Sequence, residues 1–158
     1  MLSKEHLTMI ATEPRMFLNQ CYKMQERVRI KEHRIGQLEQ LATHITSTIK
    51  PVATYSGPGD KIADCAIAIA DLKAEINEEI RQLTDMEKTV AEGIQTCVPD
   101  LVPRSILEAR YLAGMRWEEI AYEYHFAYRW VLRLHKKALA EMKEKAEEML
   151  NAETQQNI

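Results

Sequence analysis

The chain has 158 residues, 46% of them apolar and 28% charged, with five Gly, five Pro and a formal net charge of −3. That length suits one ordinary domain or two small ones, the apolar share argues against a disordered chain, and scarce Gly and Pro favour helix. The slightly acidic sum weighs a little against nucleic acid as a partner, but a bulk sum can hide a local basic face.

Cys21, Cys65 and Cys97 are odd in number, far apart and without C-x-x-C spacing. They read as free thiols, small core residues of a protein in a reducing cytoplasm. No apolar run approaches the ~20 residues that span a bilayer. The N-terminus, MLSKEHLTMIATEP, lacks the basic-then-apolar layout of a secretory signal. A cytoplasmic protein with no membrane partner is the expectation.

Residues 1–12 form a short arm with some helical character, ending before Pro14. Pro14 suits the first turn of a helix, where its missing N–H costs nothing, and the Thr12 hydroxyl is the expected cap. From there to about Ser47 the pattern predicts one long helix. Phe17, Cys21, Met24, Val28, Ile35, Leu38, Ala42 and Ile45 recur at steps of four and three, with Lys31 as the polar member of the seam. This is heptad spacing, the mark of a narrow coiled-coil contact. Leu18, Ile30 and Leu41 are expected to widen it.

Ser47 to Gly59 contains Pro51, Gly57, Pro58 and Gly59 and reads as a loop, with Asp60 able to cap the next helix. This second long helix is predicted from about Lys61 to Thr96, with a seam of Ile62, Cys65, Ile69, Leu72, Ile76, Ile80, Leu83, Val90 and Ile94. The two four-residue steps at Leu72, Ile76 and Ile80 read as a stutter. Two long helices joined by about a dozen residues should fold back as an antiparallel hairpin. The acids Asp71, Glu75, Glu78 and Glu79 read as a solvated face.

Val98-Pro99-Asp100 ends the second helix. Between Val102 and Met142 three shorter helices are expected. The first, SILEARYL, should bury Ile106, Leu107 and Tyr111 and stop at Gly114 in a left-handed conformation. The second, WEEIAYEY, should turn Trp117, Ile120, Ala121 and Tyr124 inward, with Glu118 and Glu119 in its first turn, where the helix dipole favours anions. The turn His125-Phe126-Ala127 should send Phe126 into the core and hold His125 at positive φ. The third helix starts near Tyr128 and buries Val131, His135, Ala138 or Leu139, and Met142. Its other face carries Tyr128, Arg129, Leu132, Arg133 and Lys136, with Lys137 on the flank. No acid lies between Glu123 and Glu141. This is the layout of a helix-turn-helix, in which one basic helix enters the DNA major groove. Arg can fork onto guanine edges, and Lys neutralises phosphate. Tyr128, Arg129, Leu132, Arg133, Lys136 and Lys137 are therefore the candidate DNA-binding residues.

The segment Val102–Met142 also resembles region four of bacterial sigma factors, through Arg110, Tyr111, Gly114, Glu118, Glu119, Ile120, Ala121, Val131, Ala138 and Leu139. The whole chain resembles a narrower family of small phage and prophage proteins that pair a helical hairpin with such a C-terminus. The motifs LATHIT (Leu41–Thr46), DKIAD (Asp60–Asp64), RYLAGMRWEEIA (Arg110–Ala121) and RLHKKAL (Arg133–Leu139) carry that likeness. The resemblance implies promoter-type recognition of double-stranded DNA in a bacterial host cell and contact with host RNA polymerase. Trp130, where sigma factors usually have a small polar residue, and His125, in the glycine position of the turn, depart from the pattern.

The expected fold is all-α. An N-terminal arm (1–12) precedes an antiparallel, coiled-coil-like hairpin (13–98), a sigma region-four-like helix-turn-helix domain (99–150) and a flexible tail (151–158). Two other readings compete. In one, the hairpin is the working surface of a structural or adaptor protein, or pairs two copies into a homodimer with two recognition helices. In the other the chain is an enzyme. Against that, His6, His33, His44, His125 and His135 are scattered. No metal-ligand spacing, glycine-rich phosphate loop or paired-acid site stands out, so no cofactor, metal or catalytic residue is expected.

Overall fold

The computed structural model describes residues 1–48 and 58–156. Among these residues there are six α-helices and no strand: α1 (Lys4–Thr12), α2 (Pro14–Thr48), α3 (Pro58–Cys97), α4 (Leu101–Tyr111), α5 (Trp117–Glu123) and α6 (Tyr128–Gln156). None is long and apolar enough to cross a membrane. The all-helical expectation holds. Most of the loop expected at Ser47–Gly59 lies outside the described residues.

The helical character expected of the first residues is seen: the Ser3 hydroxyl accepts the His6 N–H at 3.3 Å, and Leu7 and Ile10 are buried, one turn apart. Other local expectations are corrected. The Thr12 hydroxyl donates back to the Thr8 carbonyl at 2.7 Å, so it does not cap α2. Instead the Glu13 carbonyl accepts the N–H groups of Met16 and Phe17 at 3.0 and 3.4 Å. Asp60 sits inside the first turn of α3 instead of capping it, because Pro58 opens the helix. The tail expected from residue 151 is helical through Gln156.

The chain divides into two compact units, one of Met1–Lys23 with Thr84–Ile158 and the other of Met24–Leu83. The division falls within α2 and α3, not at residues 98 and 99. Burial gives the reason. Phe17, Leu18, Cys21, Val90 and Ile94 are 0% exposed, whereas the most buried apolar side chain of Met24–Leu83 is Ile76 at 7%. The apolar ends of both long helices thus belong to the better-packed core.

In the Met24–Leu83 unit the expected α2 seam is seen. Val28 is buried, and Met24, Lys31, Ile35, Leu38, Ala42 and Ile45 are half-buried. Ile30 and Leu41 are exposed and do not widen it. On α3 the expected stutter is absent. Ile80 is exposed while Glu79 is buried, so the sequence of inward residues runs Leu72, Ile76, Glu79, Leu83, with heptad steps kept. A charge in that position needs a partner. Glu79 Oε1 accepts from Lys31 Nζ at 2.8 Å and from Arg27 Nη2 at 2.7 Å, and Lys31 also lies 3.0 Å from Glu75. Donating hydrogen bonds to these two carboxylates, Glu79 first, pushes the Lys31 ammonium pKa upward. The polar member of one seam meets a polar member of the other. Two of the four acids assigned to a solvated face are engaged here.

In the larger unit α6 packs against α1, α4 and α5. Cys21 and Cys97 are buried, and burial raises both thiol pKa values to about 11. Gly93 lies against the ring of Phe17: a Cβ there would stand 2.6 and 2.8 Å from Cε1 and Cζ. Because that ring is fully buried, Gly93→Ala is expected to cost about 1–3 kcal/mol by overpacking. Gly36, inside α2, has no atom within 4 Å of such a Cβ, so Gly36→Ala should gain about 1 kcal/mol from helix propensity. Urea unfolding of the two variants, moving in opposite directions, checks the pair.

Candidate nucleic-acid interface

The candidate surface is built on α4, α5 and α6. Ile106, Ala109, Ile120, Val131 and Leu134 form one buried cluster, with Met115, Trp117, Ala121 and Phe126 packed around it. α4 ends through Gly114 at φ 70°, where the backbone is left-handed and a side chain would be strained. α5 opens with the Glu119 carboxylate accepting the Arg116 N–H at 2.7 Å. That bond, before any other influence, lowers the Glu119 pKa.

The connection from α5 to α6 is short. His125 stands at φ 55°, as its position in the turn required. The Phe126 N–H donates to the Ala121 carbonyl at 3.0 Å, and the Ala127 carbonyl accepts from Trp130 and Val131 at 2.9 and 3.1 Å. Phe126 is half-buried against the cluster. Tyr124, expected inside, is 37% exposed and stacks on Phe126 instead.

A second set of contacts fixes how α6 is rotated. His135, on the buried face of α6, has Nε2 2.8 Å from the Tyr111 hydroxyl of α4. Its ring lies 4.5 Å from that of Trp117 at the start of α5. The Arg110 guanidinium covers the other part of this group, 4.8 Å from the Trp117 ring centre, and donates to the Met115 carbonyl at 3.0 Å. Burial first, then the positive charges of Arg15 and Arg110, lower the His135 pKa to about 4. Burial raises that of Tyr111. The imidazole is therefore neutral at pH 7, and three helices are tied through one ring.

With Val131, Leu134, His135, Ala138 and Met142 buried, the opposite arc of α6 faces solvent. Tyr128, Arg129, Arg133, Lys136 and Lys137 are exposed and Leu132 is half-buried. All six expected residues thus share one side of one helix. Lys137 is drawn to Glu141 at 3.6 Å. Arg129, Arg133 and Lys136 have no ion-pair partner among the described residues. Trp130, 47% exposed in the first turn, joins this surface and was not among the candidates. Its position, one residue before buried Val131, was a usable signal. No group of three or more His, Cys, Asp or Glu among the described residues could hold a metal ion.

Comparison of the chain with family models, curated proteins and solved structures returns no match in any of the three.

Proposed function

We propose that this chain is a DNA-binding transcription regulator of the phage or prophage kind, a helical hairpin joined to a sigma region-four-like helix-turn-helix, with α6 as the helix that enters the major groove. One observation carries the reading: Arg129, Arg133 and Lys136 stand exposed and without acidic partners among the described residues, on a helix whose other face is locked into a core by His135 and Val131. A polyanion is the natural counter-charge for such a face, and the short turn before α6 has the length that presents a helix to a groove. Host RNA polymerase is the further partner the resemblance implies. No catalytic role is assigned to any residue.

The purified full chain should retain duplex DNA at low salt and release it as salt rises, because each neutralised phosphate adds about −0.9 to the slope of log K against log salt. Arg133→Ala and Lys136→Ala should each weaken binding and flatten that slope by about one contact while leaving the circular dichroism spectrum intact. If both variants bind like the parent, α6 is not the reader. The reading of the chain as an adaptor has Ile30 and Ile67, about 60% exposed in the Met24–Leu83 unit, in its favour. Scattered apolar residues of this kind are common on monomers. Failure to retain duplex together with concentration-dependent self-association would favour it.

A further inference from the structure

We propose that Arg129 and Arg133 read two guanines spaced about two base-pair steps apart in the major groove, an assignment that rests on the DNA-binding reading of α6. Four residues of helix rise ~6 Å, and successive base pairs are separated by about 3.4 Å. At ~100° per residue the two side chains leave α6 only ~40° apart. Both are exposed, and neither has an ion-pair partner among the described residues. Each guanidinium therefore keeps its full fork of donors, the arrangement that matches O6 and N7 of guanine.

The neighbours of Arg133 sharpen the argument. One turn before it is Arg129, and one turn after it are Lys136 and Lys137. Like charges at three- and four-residue spacing destabilise a helix. Only Lys137 finds local relief, in Glu141 at 3.6 Å. Arg129, Arg133 and Lys136 thus remain without an ion-pair partner among the described residues. Lys136, one turn farther along the exposed arc, is placed for phosphate, which takes a point charge as readily as a fork. Trp130 and Tyr128, 47% and 43% exposed on either flank of the arginines, supply flat apolar surface beside the bases. Arginine at two positions a turn apart offers a rigid planar fork to each base, which couples base choice to spacing.

The test uses the full chain and a pool of randomised duplexes. Selected duplexes should share two guanines about two steps apart. Remaking them with 7-deazaguanine, which lacks N7 but pairs normally, should weaken binding about ten-fold or more. Arg129→Ala and Arg133→Ala, which keep Lys136 and Lys137 for phosphate, should retain duplex at low salt yet lose the difference between the two forms. Retention without guanine enrichment, or equal binding of normal and 7-deaza duplexes, overturns the guanine assignment and leaves α6 a non-selective DNA helix. Absence of duplex retention at any salt overturns the DNA-binding reading, and the guanine assignment falls with it.

Discussion

Replacing Ile120 by aspartate is expected to unfold the core beneath α4, α5 and α6. Ile120 is 0% exposed and sits among Ile106, Ala109, Val131 and Leu134. Truncating such a residue costs about 2–5 kcal/mol, and a carboxylate left in that place without a hydrogen-bond partner adds several more. Against a total domain stability on the order of 5–15 kcal/mol, that is enough to empty the folded state. Ile120→Val, which removes one methylene, should cost only about 1 kcal/mol. Tryptophan fluorescence is the direct readout, because the chain has two tryptophans and Trp117 packs on this cluster. The aspartate variant should emit as an exposed indole at room temperature. Part of the helical circular dichroism should persist, since the seam of Met24–Leu83 contains none of the affected residues. A variant that melts like the parent in a single transition would show that Ile120 is not a core residue.

The long helices were legible because burial there follows one period. Every member of the α2 seam from Phe17 to Ile45 is buried or half-buried, and heptad spacing was sufficient to find them. The α3 seam was misread at one place for a definite reason. Within a single helix Ile80 is the better inward residue, and only the opposing Arg27 and Lys31 make Glu79 acceptable there. Periodicity describes one helix at a time and carries no record of what faces it. The unit boundary was hidden in the same way: Pro99 marks where a helix stops, but not how deeply Phe17, Cys21 and Ile94 are buried.

The candidate surface was legible as charge, since no acid interrupts the stretch from Tyr124 to Ala140. Its support was less so. Leu134 was not expected inside, yet it is 9% exposed, because α6 is contacted by α1, α4 and α5 and needs a wider apolar arc than one stripe. The contacts of His135 with Tyr111 and Trp117 join positions far apart in the chain. The sequence placed this histidine inward without showing what held it.

That buried histidine should make the larger unit acid-sensitive. Its pKa is about 4 in the folded chain against a reference of 6.5, so the unfolded chain binds the proton more readily. The neutral ring contributes stability that is complete above about pH 6.5. It is lost progressively as the pH falls toward 4. A gap of that size amounts to about 3 kcal/mol. The surroundings of the ring explain the sense of the effect: burial disfavours an imidazolium, the positive charges of Arg15 and Arg110 repel it, and burial keeps the Tyr111 hydroxyl un-ionised throughout this range. The other four histidines are exposed or half-exposed. Denaturant unfolding followed by tryptophan emission should therefore show a falling midpoint between pH 6.5 and 4. In His135→Gln, whose amide can still meet the Tyr111 hydroxyl but does not titrate, stability at neutral pH will drop somewhat and the slope across this window should flatten. An equally steep slope in that variant would assign the acid sensitivity to groups other than His135.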